Sequence, residues 1–179
     1  PRAKHKCHSV FADGLMAHRW QVFGAFDPMR AKKTTLRKMG RHDMRGLFRW
    51  LSKYVSENPQ NLEDIRQETI NTELEKMTRT RAFVLETLRM DQIERLIRIA
   101  DIDLIFEGFT IPKDSYVRLC LWESHKDKTI FSDPFEFCAA RFFKEDYTAN
   151  QFAPFGIDHH RCPLSRVVIH MGMLLVKTL

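Results

Sequence analysis

The stretch FAPFGIDHHRCPLSRVV, Phe152 to Val168, decides how this chain is read. A Pro-Phe-Gly turn comes first, then two adjacent histidines, an arginine, and Cys162 followed at once by Pro163. Proline is favoured at the first helical position, where its missing N–H costs nothing. That predicts a last helix starting at Cys162 or Pro163, with Val167, Val168, Met171, Leu174 and Leu175 on its buried face. Cys162 would then be the N-cap, beside unpaired amides and a partial positive charge that stabilise an anion. Positions of that kind favour the thiolate form of cysteine. The segment by itself leaves three readings open: a nucleophile, a metal ligand, or a small buried thiol. A zinc site from His159, His160 and Cys162 lacks a second ligand pair at finger spacing. A cysteine-protease dyad has neither neighbouring histidine specified as its base.

The composition bounds the rest. The length of 179 residues suits one domain or part of one, and the initial proline points to a fragment of something longer. Hydrophobic residues make up 44% and charged residues 29%, which reads as globular and water-soluble. No uncharged apolar stretch is long enough to span a membrane, and the basic first residues PRAKHKCHSV lack a signal-peptide core. The four cysteines, Cys7, Cys120, Cys138 and Cys162, form no C-x-x-C pair, which points to a reducing compartment rather than a disulfide framework. The net charge of +6 allows an acidic partner. Nucleic acid is disfavoured, because the aromatics do not interleave with the basic residues as a single-strand platform needs.

Residues 1–32 stay unassigned. A helix is expected from Thr34 to Ser56, with Leu47, Trp50, Leu51, Tyr54 and Val55 as its apolar stripe. ENPQ stops it, because the residue before proline disfavours helix. A second helix starts at Pro59, with Leu62, Ile65 and Ile70 facing inward, and a third spans Thr80 to Met90, with Phe83, Val84 and Leu88 inward. Short β-rich runs follow at Leu96–Ala100, Leu104–Phe106, Phe109–Ile111 and Tyr116–Leu119, with Gly108 supplying one turn and PKDS giving a hairpin signal. From Ser132 to Phe155 the chain is aromatic and aperiodic, a packed loop held by side chains. The fold class is mainly α with a small β region.

The third helix contains Glu86-x-x-Arg89, one turn apart and able to pair. The helix is apolar around much of its circumference, so the pair is expected to be buried, and buried charges need several partners. Arg141 in DPFEFCAARF is the third member sought.

The ordered set of Glu86-x-x-Arg89, GFTIPKDSYV, LWESHKD, DPFEFCAARF and FAPFGIDHHRCP resembles the C-terminal part of a cytochrome P450, a haem-thiolate monooxygenase. The resemblance covers Lys38 to Leu179, and it implies that residues 33–179 are the C-terminal haem-binding part of such a domain. It implies that Cys162 is the proximal thiolate ligand of haem iron, the metal ligand of the site, with Phe155 packed beside the cysteine loop and Gly156 at its turn. His160 and Arg98 match the partners of the haem propionates. Glu86, Arg89 and Arg141 match a structural salt-bridged triad. His125 matches a residue frequent at its place, read as packing or propionate-side.

Several positions depart from the family pattern. Asp158 and Leu164 stand where glycines are usual, and AARF replaces the usual PERF. The distal threonine position holds Asp43 or Met44, which leaves His42 and Asp43 as the catalytic proton-relay candidates. The implied function is oxidation of a small organic substrate with O₂, with electrons from a ferredoxin or flavoprotein reductase. Arg161, Arg166 and Lys144 are the expected basic docking face for that partner. The alternative is an atypical haem-thiolate protein: a sensor, a scaffold, or a peroxide-using or rearranging enzyme. The resemblance places a bacterial form in the cytoplasm.

Overall fold

The computed structural model describes residues 44–91, 96–157 and 161–179. The unassigned segment 1–32, the first turns of the helix expected from Thr34, and His42, Asp43, Asp158, His159 and His160 lie outside the described residues. The chain is helical over 44–57 (α1), then forms α2 (Pro59–Asn71), a 3-10 turn (Leu74–Lys76) and α3 (Thr78–Met90). Four strands follow: β1 (Leu96–Ile99), β2 (Leu104–Phe106), β3 (Phe109–Ile111) and β4 (Tyr116–Leu119). Two single-turn helices, α4 (Leu121–Ser124) and α5 (Arg141–Lys144), precede the final α6 (Ser165–Thr178). The architecture is therefore mainly α with a small β region. Among the described residues no helix is long and apolar enough to cross a membrane.

The helix boundaries have local causes. Asn58 separates α1 from α2, and its side-chain amide donates to the Tyr54 carbonyl at 2.9 Å, filling an acceptor that the end of α1 leaves open. Pro59 occupies the first turn of α2. The N-terminus of α3 has no cap from its own Met77. Glu68 of α2 supplies one instead: its carboxylate accepts the amides of Arg79 (2.8 Å) and Thr80 (2.9 Å) and the Thr80 hydroxyl (2.8 Å).

The core lies among α1, α2, α3 and α6. Leu47, Leu51, Tyr54 and Val55 of α1 are buried against Ile65, Phe83, Val84, Leu88, Met173 and Val176. Tyr54 stacks on Phe137 at 4.6 Å and donates its hydroxyl to Asp91 Oδ2 at 2.5 Å, tying α1 to the end of α3. Gly172 lets α6 approach closely. A Cβ there would stand 3.0 Å from Val84 Cγ1 and 3.3 Å from Leu51 Cδ1.

Four expectations need correction. Ile70 is exposed, because five positions beyond the buried Ile65 carry it about 140° around α2, off the buried face. PKDS does turn the chain, but β3 and β4 on either side of it are not partners. β4 pairs antiparallel with β1, and β2 pairs with β3 inside that outer pair. The turn's amides go elsewhere: Asp114 N–H donates to the Ala100 carbonyl (2.7 Å) and Lys113 N–H to Asp103 Oδ1 (2.7 Å). The two-residue hairpin turn is Glu107-Gly108, both at positive φ, which suits right-twisted strands. The final helix begins at Ser165, so Cys162 is not its N-cap. Its buried face is Ser165, Gly172, Met173 and Val176, whereas Val167, Met171 and Leu174 face outward. The close approach at Gly172 sets that rotation.

Candidate functional site

Nine residues of α3, including Glu86 and Arg89, are buried, so the helix has little solvated surface on which to place charges. Glu86 and Arg89 instead meet fork to fork, with Nε–Oε2 and Nη2–Oε1 both 2.8 Å and both side chains fully enclosed. Glu86 Oε1 also accepts Arg141 Nε at 3.2 Å and the Cys138 amide at 2.8 Å. The structure thus brings Glu86, Arg89 and Arg141 together. Burial acts to lower the Arg141 guanidinium, but the Glu86 carboxylate outweighs it and holds the group above its ordinary value.

The remaining guanidinium donors staple the loop after α4. Arg89 Nη1 donates to the carbonyls of His125 (2.8 Å) and Pro134 (2.7 Å), and Nη2 to that of Glu136 (3.1 Å). Arg141 Nη1 donates to the Ser132 carbonyl at 3.0 Å. Two buried cations and one carboxylate are therefore compensated mainly by backbone carbonyls. Lys126 is buried as well, and its ammonium donates to the carbonyls of Arg89 (3.3 Å) and Met90 (3.1 Å) at the C-terminal end of α3. Burial, with Arg89 nearby, pushes it down to about 8.

His125 is enclosed between these groups and the cysteine loop. Its ring lies 5.0 Å from Phe152 and edge-on to Phe131. Its Nε2 accepts the Ala153 amide at 3.2 Å, and its Nδ1 has no partner among the described residues. Burial and the adjacent cations push the imidazole down to about 3, so it is neutral. The loop then folds on itself. Gly156, at φ +75°, donates its amide to the Ala153 carbonyl (3.1 Å), and the Cys162 amide donates to the Phe155 carbonyl (2.8 Å). Phe155 is half-buried against the core cluster. Cys162 is a free, half-buried thiol in the turn before α6, and its carbonyl accepts the Ser165 amide.

Arg98 sits mid-strand on β1, opposite Val117. It is half-buried, bonds the Ile97 carbonyl, and has no carboxylate partner among the described residues. Arg161, Arg166 and Lys144 are exposed, but Glu145 and Asp146 share a cleft rim with Arg161, so that face carries both signs.

The residues present fit a haem. Among the described residues no group of three or more His, Cys, Asp or Glu could hold a metal ion. Cys162 offers one soft sulfur, which would suit an iron that brings the rest of its coordination with it. Arg98 has no acid partner among the described residues, which would suit an anionic edge. Periodicity and motif order reached the triad and the cysteine, but not the interior contacts of His125, Lys126 and Glu68. For His125 and Lys126 the nearest signal is the LWESHKD motif that holds both, and Glu68 has none.

A family model described as Cytochrome P450 matches residues 49–171. An abscisic acid 8'-hydroxylase of Solanum lycopersicum is 33% identical over 129 residues, covering 64% of this chain and 27% of that protein. Cytochrome P450 71B12 of Arabidopsis thaliana is 28% identical over 143 residues, 71% of this chain and 28% of that protein. Cytochrome P450 2U1 of Mus musculus is 28% identical over 128 residues, 63% and 24% respectively. The chain spans about a quarter of the length of the curated relatives it matches.

Proposed function

This chain belongs to the cytochrome P450 family, and on that premise we propose that it supplies the cysteine-bearing, haem-holding part of a monooxygenase that oxidises a small organic substrate. The observation that carries the reading is a pair of backbone hydrogen bonds, from the Gly156 amide to the Ala153 carbonyl and from the Cys162 amide to the Phe155 carbonyl. They lead to a free, half-buried cysteine, and Ala153 is tied through His125 to the buried Glu86–Arg89–Arg141 cluster. Cys162 would hold the iron, Arg98 and His160 would pair with the propionates, and Phe155 and Gly156 would shape the loop beneath the ring. A haem held by a thiolate supplies oxygen activation, the sulfur's electron donation favouring O–O cleavage. His42 and Asp43 would carry protons toward the distal side, in place of the family threonine. Glu86, Arg89 and Arg141 brace the site without touching substrate. Electrons would come from a ferredoxin or flavoprotein docking over Arg161, Arg166 and Lys144.

The test is spectroscopic. The full-length protein, reduced and exposed to carbon monoxide, is expected to show a strongly red-shifted Soret band, and Cys162→Ser to abolish it. A band that survives that substitution overturns the ligand assignment. A second reading, an atypical haem-thiolate protein, is favoured by Leu164 in place of a glycine and by the missing distal threonine. Substrate turnover with a reductase present separates the two.

A further inference from the structure

We propose that His125 is a positioning residue for Cys162, suspending the peptide that leads to the thiol from the buried arginine cluster. This inference rests on the haem-thiolate reading of Cys162. The connection runs through atoms on both sides of one residue. On the first side, the His125 carbonyl accepts Arg89 Nη1 at 2.8 Å. On the other, its Nε2 accepts the Ala153 amide at 3.2 Å. The same Ala153 receives the Gly156 amide on its carbonyl, and the next residues close on Cys162 through the Phe155 carbonyl. A chain of hydrogen bonds therefore joins α3 to the cysteine without passing through α6.

The ring is suited to that task. It is enclosed, held by Phe152 and Phe131, and neutral, so Nε2 stays an acceptor while the proton resides on Nδ1. Nδ1 has no partner among the described residues. The bond to Ala153 is thus the one polar contact fixing the ring's orientation among those residues. Without it a buried Ala153 amide is left unsatisfied, and its loop loses the anchor. The expected consequence is a thiol that detaches from iron more easily.

The experiment uses the full-length, haem-loaded protein. If the unaltered protein lacks the red-shifted carbon monoxide band, the haem-thiolate reading itself fails. Given that band, hydrogen exchange of the unaltered protein comes first. The Ala153 amide is expected to be protected like those of α3, and exchange at the rate of an exposed loop overturns the proposal. His125→Phe keeps an aromatic ring but offers no acceptor, whereas His125→Gln keeps an acceptor. The Phe variant is expected to lose haem loading or to convert from the red-shifted to the shorter-wavelength form about tenfold faster. The Gln variant is expected to restore the unaltered behaviour. A Phe variant indistinguishable from the unaltered protein, or a Gln variant no better than Phe, overturns it.

Discussion

The amide of Cys138 donates to Glu86 Oε1 at 2.8 Å, joining a loop residue to a helix residue 52 positions earlier. The oxygen is shared with Arg89 and Arg141, so one carboxylate fixes both the charge balance and the path of the loop.

Glu86→Ala leaves Arg89 and Arg141 buried without a counter-charge. Removing one partner of a buried ionic network costs about 3–5 kcal/mol, and here the Cys138 amide is orphaned too. Urea unfolding of the haem-free protein should show a loss in that range. A loss near that of a surface ion pair would mean that the cluster opens to water.

The cap on α3 makes a smaller, separable prediction. Burial acts to raise the Glu68 carboxyl, but the amides of Arg79 and Thr80 and the hydroxyls of Thr80 and Thr78 outweigh it and hold it below its ordinary value. Replacing a helix cap costs about 1 kcal/mol, so Glu68→Ala should lower the unfolding midpoint modestly. Because the folded value is depressed, this stability is present at neutral pH and lost as pH falls through the folded value. The Ala variant and the unaltered protein should therefore converge in acid.

Much of this is legible in the sequence, and the reason is local. Leu47, Leu51, Phe83, Val84 and Leu88 lie on stripes whose spacing alone assigns them to the core, and all are buried. The four strands were bounded by their turn residues. Pairing was not legible, because which strand meets β4 depends on where Asp114 and Lys113 send their amides. The rotation of α6 is not legible, because its apolar residues nearly encircle it, and the close approach at Gly172 buries Met173 while Met171 and Leu174 face outward. At the site, Glu86, Arg89, Arg141 and Cys162 announce themselves through motif order. His125 stands in the LWESHKD motif as well, but its contact with Ala153 is not legible, since that partner is a backbone amide and amides leave no mark in sequence.

Gly172→Ala should test the helix contact. The added methyl would meet Val84 Cγ1 at 3.0 Å and Leu51 Cδ1 at 3.3 Å, in a core that includes both. Overpacking of this kind costs about 1–3 kcal/mol, against a gain of under about 1 kcal/mol from alanine's helix propensity. Net destabilisation is expected. Thermal melting that rises instead would show that α6 can slide away from α3.

The His125 imidazole gives a pH signature with a fixed sign. Burial first, then the charges of Arg89 and Lys126, depress it to about 3 from an ordinary 6.5. The unfolded chain takes up a proton near pH 6.5 while the folded one does not until about pH 3. The group therefore has no effect on stability above pH 6.5, and stability falls as pH drops between the two values. The slope is about 1.4 kcal/mol per pH unit, reaching about 5 kcal/mol at the lower end. Carboxylates titrate over part of the same range, so the measurement is a difference. Urea unfolding of the unaltered protein and of His125→Gln should diverge steadily as pH falls from neutral, the Gln variant gaining relative stability. Parallel curves would mean that the folded ring takes up its proton in the same pH range as the unfolded one.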